Sequence, residues 1–211
     1  TRWLEVPGKH IAPRFEIQPL YRYNPMLLYK IFMIPALMIM MLALVCGFLP
    51  ALNIVSEKES GTMEQLNVTP VSKFMFIISK LIPHWIMGFV VLSICIFVAW
   101  LFYGLFPVGS LFTIYLFAAL FVLAFSGFGL VISNYAKSTQ QAMFMMFFFV
   151  MTFIFMSGLY TPINNMPRWA QLFSNISPLK YIIMVLRSVY LKGSSFWELT
   201  PQFIGLTGFA V

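Results

Sequence analysis

Two long stretches of this chain carry no formal charge at all, one between Lys30 and Glu57 and one between Lys80 and Lys137. A bilayer hydrocarbon core of about 30 Å takes roughly 20 helical residues, at about 1.5 Å each. The first stretch is long enough for one spanning helix and the second for two. Within the second, "YGLFPVGS" at 103–110 carries two glycines and a proline, which signals a turn. Spans are therefore expected near 31–55, 82–105 and 111–133. The run "QAMFMMFFFVMTFIFMSGL" adds a fourth at 141–159, and a further run starts near Pro201 and occupies 201–211. The expected fold class is an all-α polytopic membrane protein, with four complete transmembrane helices plus the start of another.

Composition limits the alternatives. Apolar residues make up 61% and charged residues 9%, with mean hydropathy +0.89. A soluble domain carries about a quarter charged residues, so this chain could not cover its apolar surface in water. No aspartate occurs, which excludes an intramembrane aspartyl dyad. The net charge of +7 is scattered at the ends of apolar runs and forms no basic stripe. Membrane lipids are the expected partners of these bases, and no nucleic acid is. Cys46 and Cys95 lie inside apolar runs and read as small buried hydrophobes. His10 and His84 are far apart and no CxxC occurs, so no metal site is expected. The chain begins at Thr1 and ends in the apolar "FIGLTGFAV", which reads as a piece of a longer protein.

The segments between the runs differ in character. Residues 1–30, rich in proline and holding the alternating "FEIQ", read as the end of a water-exposed region with room for one short strand. Residues 134–140, "NYAKSTQ", read as a short polar turn. In 160–200, Ser177-Pro178 is a helix start and Gly193 a stop. The helix between them, about 15 residues or roughly 22 Å, is too short to cross comfortably. Lys180, Met184, Arg187 and Leu191 share one of its faces. Trp169, Tyr181, Tyr190 and Trp197 suit an interface. Two readings of 162–195 stand level: a segment dipping into or lying along one membrane surface, and an ordinary extramembrane helical loop. Ser126, Gly127, Gly129 and Ser133 form a small-residue patch that reads as close helix packing. The Phe and Met residues of 141–156 read as packing or lipid-facing.

"IVSEKESGTMEQL", residues 54–66, holds three of the six acids: Glu57, Glu59 and Glu64. Gly61 breaks the helix leaving the membrane. Thr62 and Gln65 match the capping box of a new short helix, and Glu64 in its first turn complements the positive helix end. Pro70 ends it. By composition alone, a solvated connecting loop is a more ordinary account of these charges than a docking element.

The residues from this point carry a family resemblance. "EKESGTMEQLNVTPVSKFMFIISKLIP" resembles the signature of the ABC type-2 exporter permeases, on Glu57, Lys58, Glu59, Gly61, Thr62, Glu64, Gln65, Leu66, Thr69, Pro70, Lys80 and Pro83. "YNP" at 23–25 and "SPLKYIIMVLRSVYLKG" at 177–193 are similar to further segments of that family. Ser79 and Pro35-Ala36 depart from its usual glycines. The resemblance implies a transmembrane permease domain over 31–211, preceded by the end of an extracytoplasmic segment at 1–30 and lacking the family's first helix. It implies a cytoplasmic coupling loop at 56–80, whose short helix seats on a separate nucleotide-binding ATPase. The coupling residues would be Glu57, Lys58, Glu59, Gly61, Thr62, Met63, Glu64, Gln65 and Leu66. Residues 160–200, with Lys180 and Arg187, would be a re-entrant segment on the opposite side. A second permease subunit, identical or not, would complete the transporter in a bacterial cytoplasmic (inner) membrane.

The rest of the sequence fits such a transport subunit. No G-x-x-x-x-G-K-[ST] occurs, so no cofactor is expected in this chain, and ATP and Mg would be bound by the partner ATPase. The spans hold no ionisable side chain of the kind proton-coupled carriers use, except His84 near an end. Glu57 and Glu59 could pair with bases on the ATPase or brace the loop. A membrane enzyme acting on lipid is one alternative, but H-E-x-x-H and G-x-S-x-G are missing. A passive channel or assembly scaffold is another. The positive-inside count favours the orientation opposite to the family's, since Lys58, Lys73, Lys80 and Lys137 are outnumbered by the bases elsewhere.

Overall fold

A computed structural model describes residues 29–62, 72–160 and 163–210, and every regular element within them is helical. The first apolar run forms α1 (Tyr29–Ala43), a π-helical turn (Leu44–Phe48) and α2 (Leu49–Glu59). The π turn immediately precedes Pro50, which lacks the amide that an unbroken α ladder would use. The helix α3 runs from Lys73 to Tyr103. It starts well before the span expected at 82–105. Ser72 accepts from the Met75 amide and caps it there, and Pro83 costs only one hydrogen bond inside a long apolar helix. Gly104, at φ 62°, ends it.

Next come α4 (Leu111–Tyr135) and α5 (Thr139–Met156), separated by a turn of three residues. Ser138 caps α5 by accepting from the Gln141 amide. Then follow the short α6 (Arg168–Ser174) and α7 (Pro178–Arg187), a π-helical turn (Ser188–Lys192) and α8 (Thr200–Ala210). Ser177 and Pro178 do begin α7, and Gly193, at φ 67°, stops the helical stretch that contains it. Among the described residues, four helices are long and apolar enough to cross a membrane: Phe32–Glu59, Phe74–Tyr103, Leu111–Tyr135 and Thr139–Met156. The protein is a polytopic all-α membrane protein. The "FEIQ" segment lies outside the described residues.

The core is built around α4, whose Phe117, Phe121 and Phe125 are fully buried. It packs against α2, α3, α7 and α8. Glycines set the closest approaches. A Cβ on Gly47 would lie 2.4 Å from the Phe125 ring, and one on Gly129 would lie 2.6 Å from the Gly47 carbonyl oxygen. Gly88 likewise faces the Cys46 sulfur, where a Cβ would stand at 2.3 Å.

The α7 helix turns Leu179, Ile182, Ile183 and Leu186 inward against α1, α4 and α8. Tyr190, expected at an interface, is buried, because the apolar face of this segment points into the protein. Trp169 and Trp197 are exposed. On the far side of the bundle, Val108 and Gly109 donate their amides to the Tyr190 and Val189 carbonyls, at 3.4 and 3.0 Å. The α3–α4 turn is thereby joined to the end of the α7 segment.

Candidate functional site

The last turn of α2 carries the acid–base–acid sequence Glu57-Lys58-Glu59, and each side chain reaches a different helix. The helix Phe32–Glu59 has 28 residues, about 42 Å at 1.5 Å each, which exceeds a hydrocarbon core of about 30 Å. That excess length leaves room for its charged end to stand outside the apolar layer. Glu57 forms an ion pair with Lys80 of α3. Its second carboxylate oxygen is buried and has no hydrogen-bond partner among the described residues. The Lys58 ammonium donates to the carbonyls of Asn134 and Ala136, at 3.2 and 3.0 Å, at the C-terminal end of α4. Glu59 accepts from the amide and hydroxyl of Thr139, at 2.9 and 2.6 Å, at the first residue of α5.

The signs are matched to the helix ends. Carbonyls concentrate partial negative charge at a helix C-terminus and amides concentrate positive charge at an N-terminus. A cation therefore meets the end of α4 and an anion the start of α5. The Thr139 hydroxyl, and after it the Thr139 amide, hold the exposed Glu59 carboxyl below the usual carboxylate range. Beneath the charges lies a small apolar cluster, separate from the main core, made by Val55, Ala136 and Ala142.

Gly61 follows at φ 75°, a left-handed conformation that favours glycine, and nothing lies within 4 Å of where its Cβ would be. The break expected at this glycine is thus present, and Thr62 begins helical structure. Met63, Glu64, Gln65 and Leu66 lie outside the described residues, as does the rest of the expected capping box. Lys180 and Arg187 hydrogen-bond to residues outside this cluster. Lys180 donates to the Asn175 side-chain oxygen, and partial burial pushes its ammonium pKa down. Arg187 donates to the carbonyls of Gly158 and Leu159, at 3.0 and 3.4 Å, just past the end of α5. Its guanidinium also lies 3.5 Å from the ring centre of Phe32.

Sequence reading did not single out Thr139, Asn134 or Ala136. The available signal was the brevity of "NYAKSTQ", which sets a helix C-terminus and a helix N-terminus side by side. Among the described residues no group of three metal-ligating side chains occurs.

The profile of the "ABC-2 family transporter protein" family matches residues 9–211. The chain belongs to the ABC-2 transporter family. This ABC-2 chain is 33% identical over 173 residues to the Escherichia coli K12 protein named "Probable multidrug ABC transporter permease YbhR", covering 82% of this chain and 47% of that protein. It is 29% identical over 191 residues to "Probable multidrug ABC transporter permease YbhS" of the same organism, covering 89% and 50%. It is 27% identical over 157 residues to "Inner membrane transport permease YhhJ", covering 72% and 41%. The chain spans about half the length of the curated relatives it matches. No solved structure matches it. It is an integral membrane protein.

Proposed function

We propose that this ABC-2 protein is the membrane-spanning permease subunit of an ATP-driven exporter. It forms the substrate pathway together with a second permease subunit, and it couples through residues 57–70 to a separate nucleotide-binding ATPase. ATP and Mg are bound by that partner. The cell compartment is the bacterial inner membrane. The loop after Gly61 faces the cytoplasm, and residues 160–200 form the re-entrant segment on the other side.

One observation carries the reading. The start of the run that resembles the coupling signature, Glu57-Lys58-Glu59, closes the first apolar helix, with its charges fastened to Lys80 within α3, to the end of α4 and to the start of α5. A loop anchored in this way is suited to passing a push from a docked ATPase into the bundle. The carboxylates of Glu57 and Glu59 face partners within the chain. Contact with the ATPase therefore falls to the following residues, with Met63 and Leu66 as apolar anchors.

The test uses the full-length protein co-expressed with a candidate P-loop ATPase from the same organism. Capture of the permease should retain the ATPase, and ethidium efflux from reconstituted vesicles should require hydrolysable ATP. Efflux that proceeds equally without ATP would instead identify a passive channel. Phospholipid hydrolysis by the purified protein would identify an enzyme.

A further inference from the structure

The turn between α4 and α5 is gripped from both sides by consecutive residues of α2. Lys58 holds the carbonyl end of α4 through Asn134 and Ala136, and Glu59 holds the amide end of α5 through Thr139. Ala136, whose carbonyl Lys58 holds, is fully buried against Val55 and Ala142 in the separate apolar cluster. The turn is thus seated on an apolar pad and clasped by two charges of opposite sign. These contacts join residues 76 to 80 positions apart in sequence.

From this arrangement we infer that Lys58 and Glu59 are positioning residues for coupling, which make the α4–α5 turn a follower of the foot of α2. A displacement received by the loop after Gly61 then reaches α4 and α5 directly, as well as α3 through Lys80. This inference rests on the docking of an ATPase at that loop. It adds that the signal leaves the loop through a second, short turn of the same chain. The alternative is that Lys58 and Glu59 serve as open anchors for the partner. That role fits poorly with a Lys58 ammonium already donating to two carbonyls and a Glu59 oxygen already accepting two bonds. Exposed single contacts add little to stability, so four hydrogen bonds converging on one turn point to placement.

Thr139 offers a clean way to open the clasp. It supplies both donors to Glu59 and is the first residue of α5. Ser138 before it is already extended, at φ −134° and ψ 154°. Proline is well accommodated at this helix position after an extended residue. Thr139→Pro therefore removes both hydrogen bonds while leaving the helix start in place, and Thr139→Ser retains both. Lys58→Met removes the other grip and keeps an apolar stem.

The experiment places a cysteine at the exposed Lys137 of the turn, in the full-length protein freed of its other cysteines. The protein is reconstituted with its ATPase, and maleimide labelling is timed with and without vanadate-trapped Mg-ATP. Trapping should change the labelling rate by about threefold or more in the parent and in Thr139→Ser, the scale on which exposed contacts act. In Thr139→Pro and in Lys58→Met, the ATPase should still be captured while the nucleotide effect disappears. A nucleotide effect that persists in both variants overturns the inference, as does a parent that captures the ATPase yet shows no effect. A parent that fails to capture the ATPase overturns the docking reading, and this inference with it.

Discussion

Gly127 and Gly129 stand two positions apart in the same small-residue patch, yet they face different surroundings. A Cβ on Gly129 would stand 2.6 Å from the Gly47 carbonyl oxygen, which is backbone and cannot swing aside. A Cβ on Gly127 would meet nothing within 4 Å, and this residue lines an open cavity of about 440 Å³ beside Phe209. Gly129→Ala should therefore push α4 away from the π turn of the first span, at a cost of about 1–3 kcal/mol. Gly127→Ala should be neutral or slightly stabilising, because alanine is the better helix former. Thermal unfolding of the detergent-extracted protein separates the two; equal midpoints would refute the packing account. The sequence marked the patch as a packing surface but could not say which glycine mattered. Helical spacing puts residues on faces without saying what lies opposite each face. The same limit hid Thr139, whose partner Glu59 lies 80 positions away.

Among the elements, α7 shows how far periodicity reaches. Its start at Ser177-Pro178 and the stop at Gly193 follow from local chemistry and were legible in the sequence. The burial of its apolar side is a tertiary fact that the pattern could not supply. Its polar side contributes Arg187, which fixes the end of α5 through two carbonyls and lies over Phe32. Arg187→Met keeps most of the stem but strips these hydrogen bonds. Bonds to a charged group contribute about 1.5–3 kcal/mol each, so the extracted variant should unfold at a clearly lower temperature. Arg187→Lys should rescue little, since an ammonium cannot reproduce the planar, two-pronged donation. Full recovery by lysine would mean that charge alone mattered. The start of α3 carries a similar lesson. Lys80 reads as the boundary of an apolar run, yet the helix starts before it and runs on through Pro83, because Glu57 meets the lysine and a long helix absorbs one missing amide bond.

Across the whole molecule, fastenings gather at two places. Residues 57–59 tie the first turns of α3, the end of α4 and the start of α5 on one face. Residues 187–190 tie the end of α5 and the α3–α4 turn on the other. Which face is cytoplasmic can be read by labelling single cysteines at the exposed Lys137 and Ser195 positions, in a background without Cys46 and Cys95. With the proposed orientation, an impermeant maleimide added to intact cells should modify the cysteine at 195 and spare the one at 137; the reverse pattern would uphold the charge count. The first of the two fastenings has a further consequence. Consecutive helical residues point about 100° apart, which is how three neighbours in sequence reach three different helices. One alanine inserted after Val55 would turn this fan by a single step. Glu57 would then face the carbonyls of α4, Lys58 would face the amides of α5, and Ser56 would stand before Lys80. Because the charges alternate, a slip of one residue turns attraction into repulsion at both ends of the α4–α5 turn. The stretch can therefore drift in composition far more easily than in length, and Glu57-Lys58-Glu59 acts as a register mark for the first span.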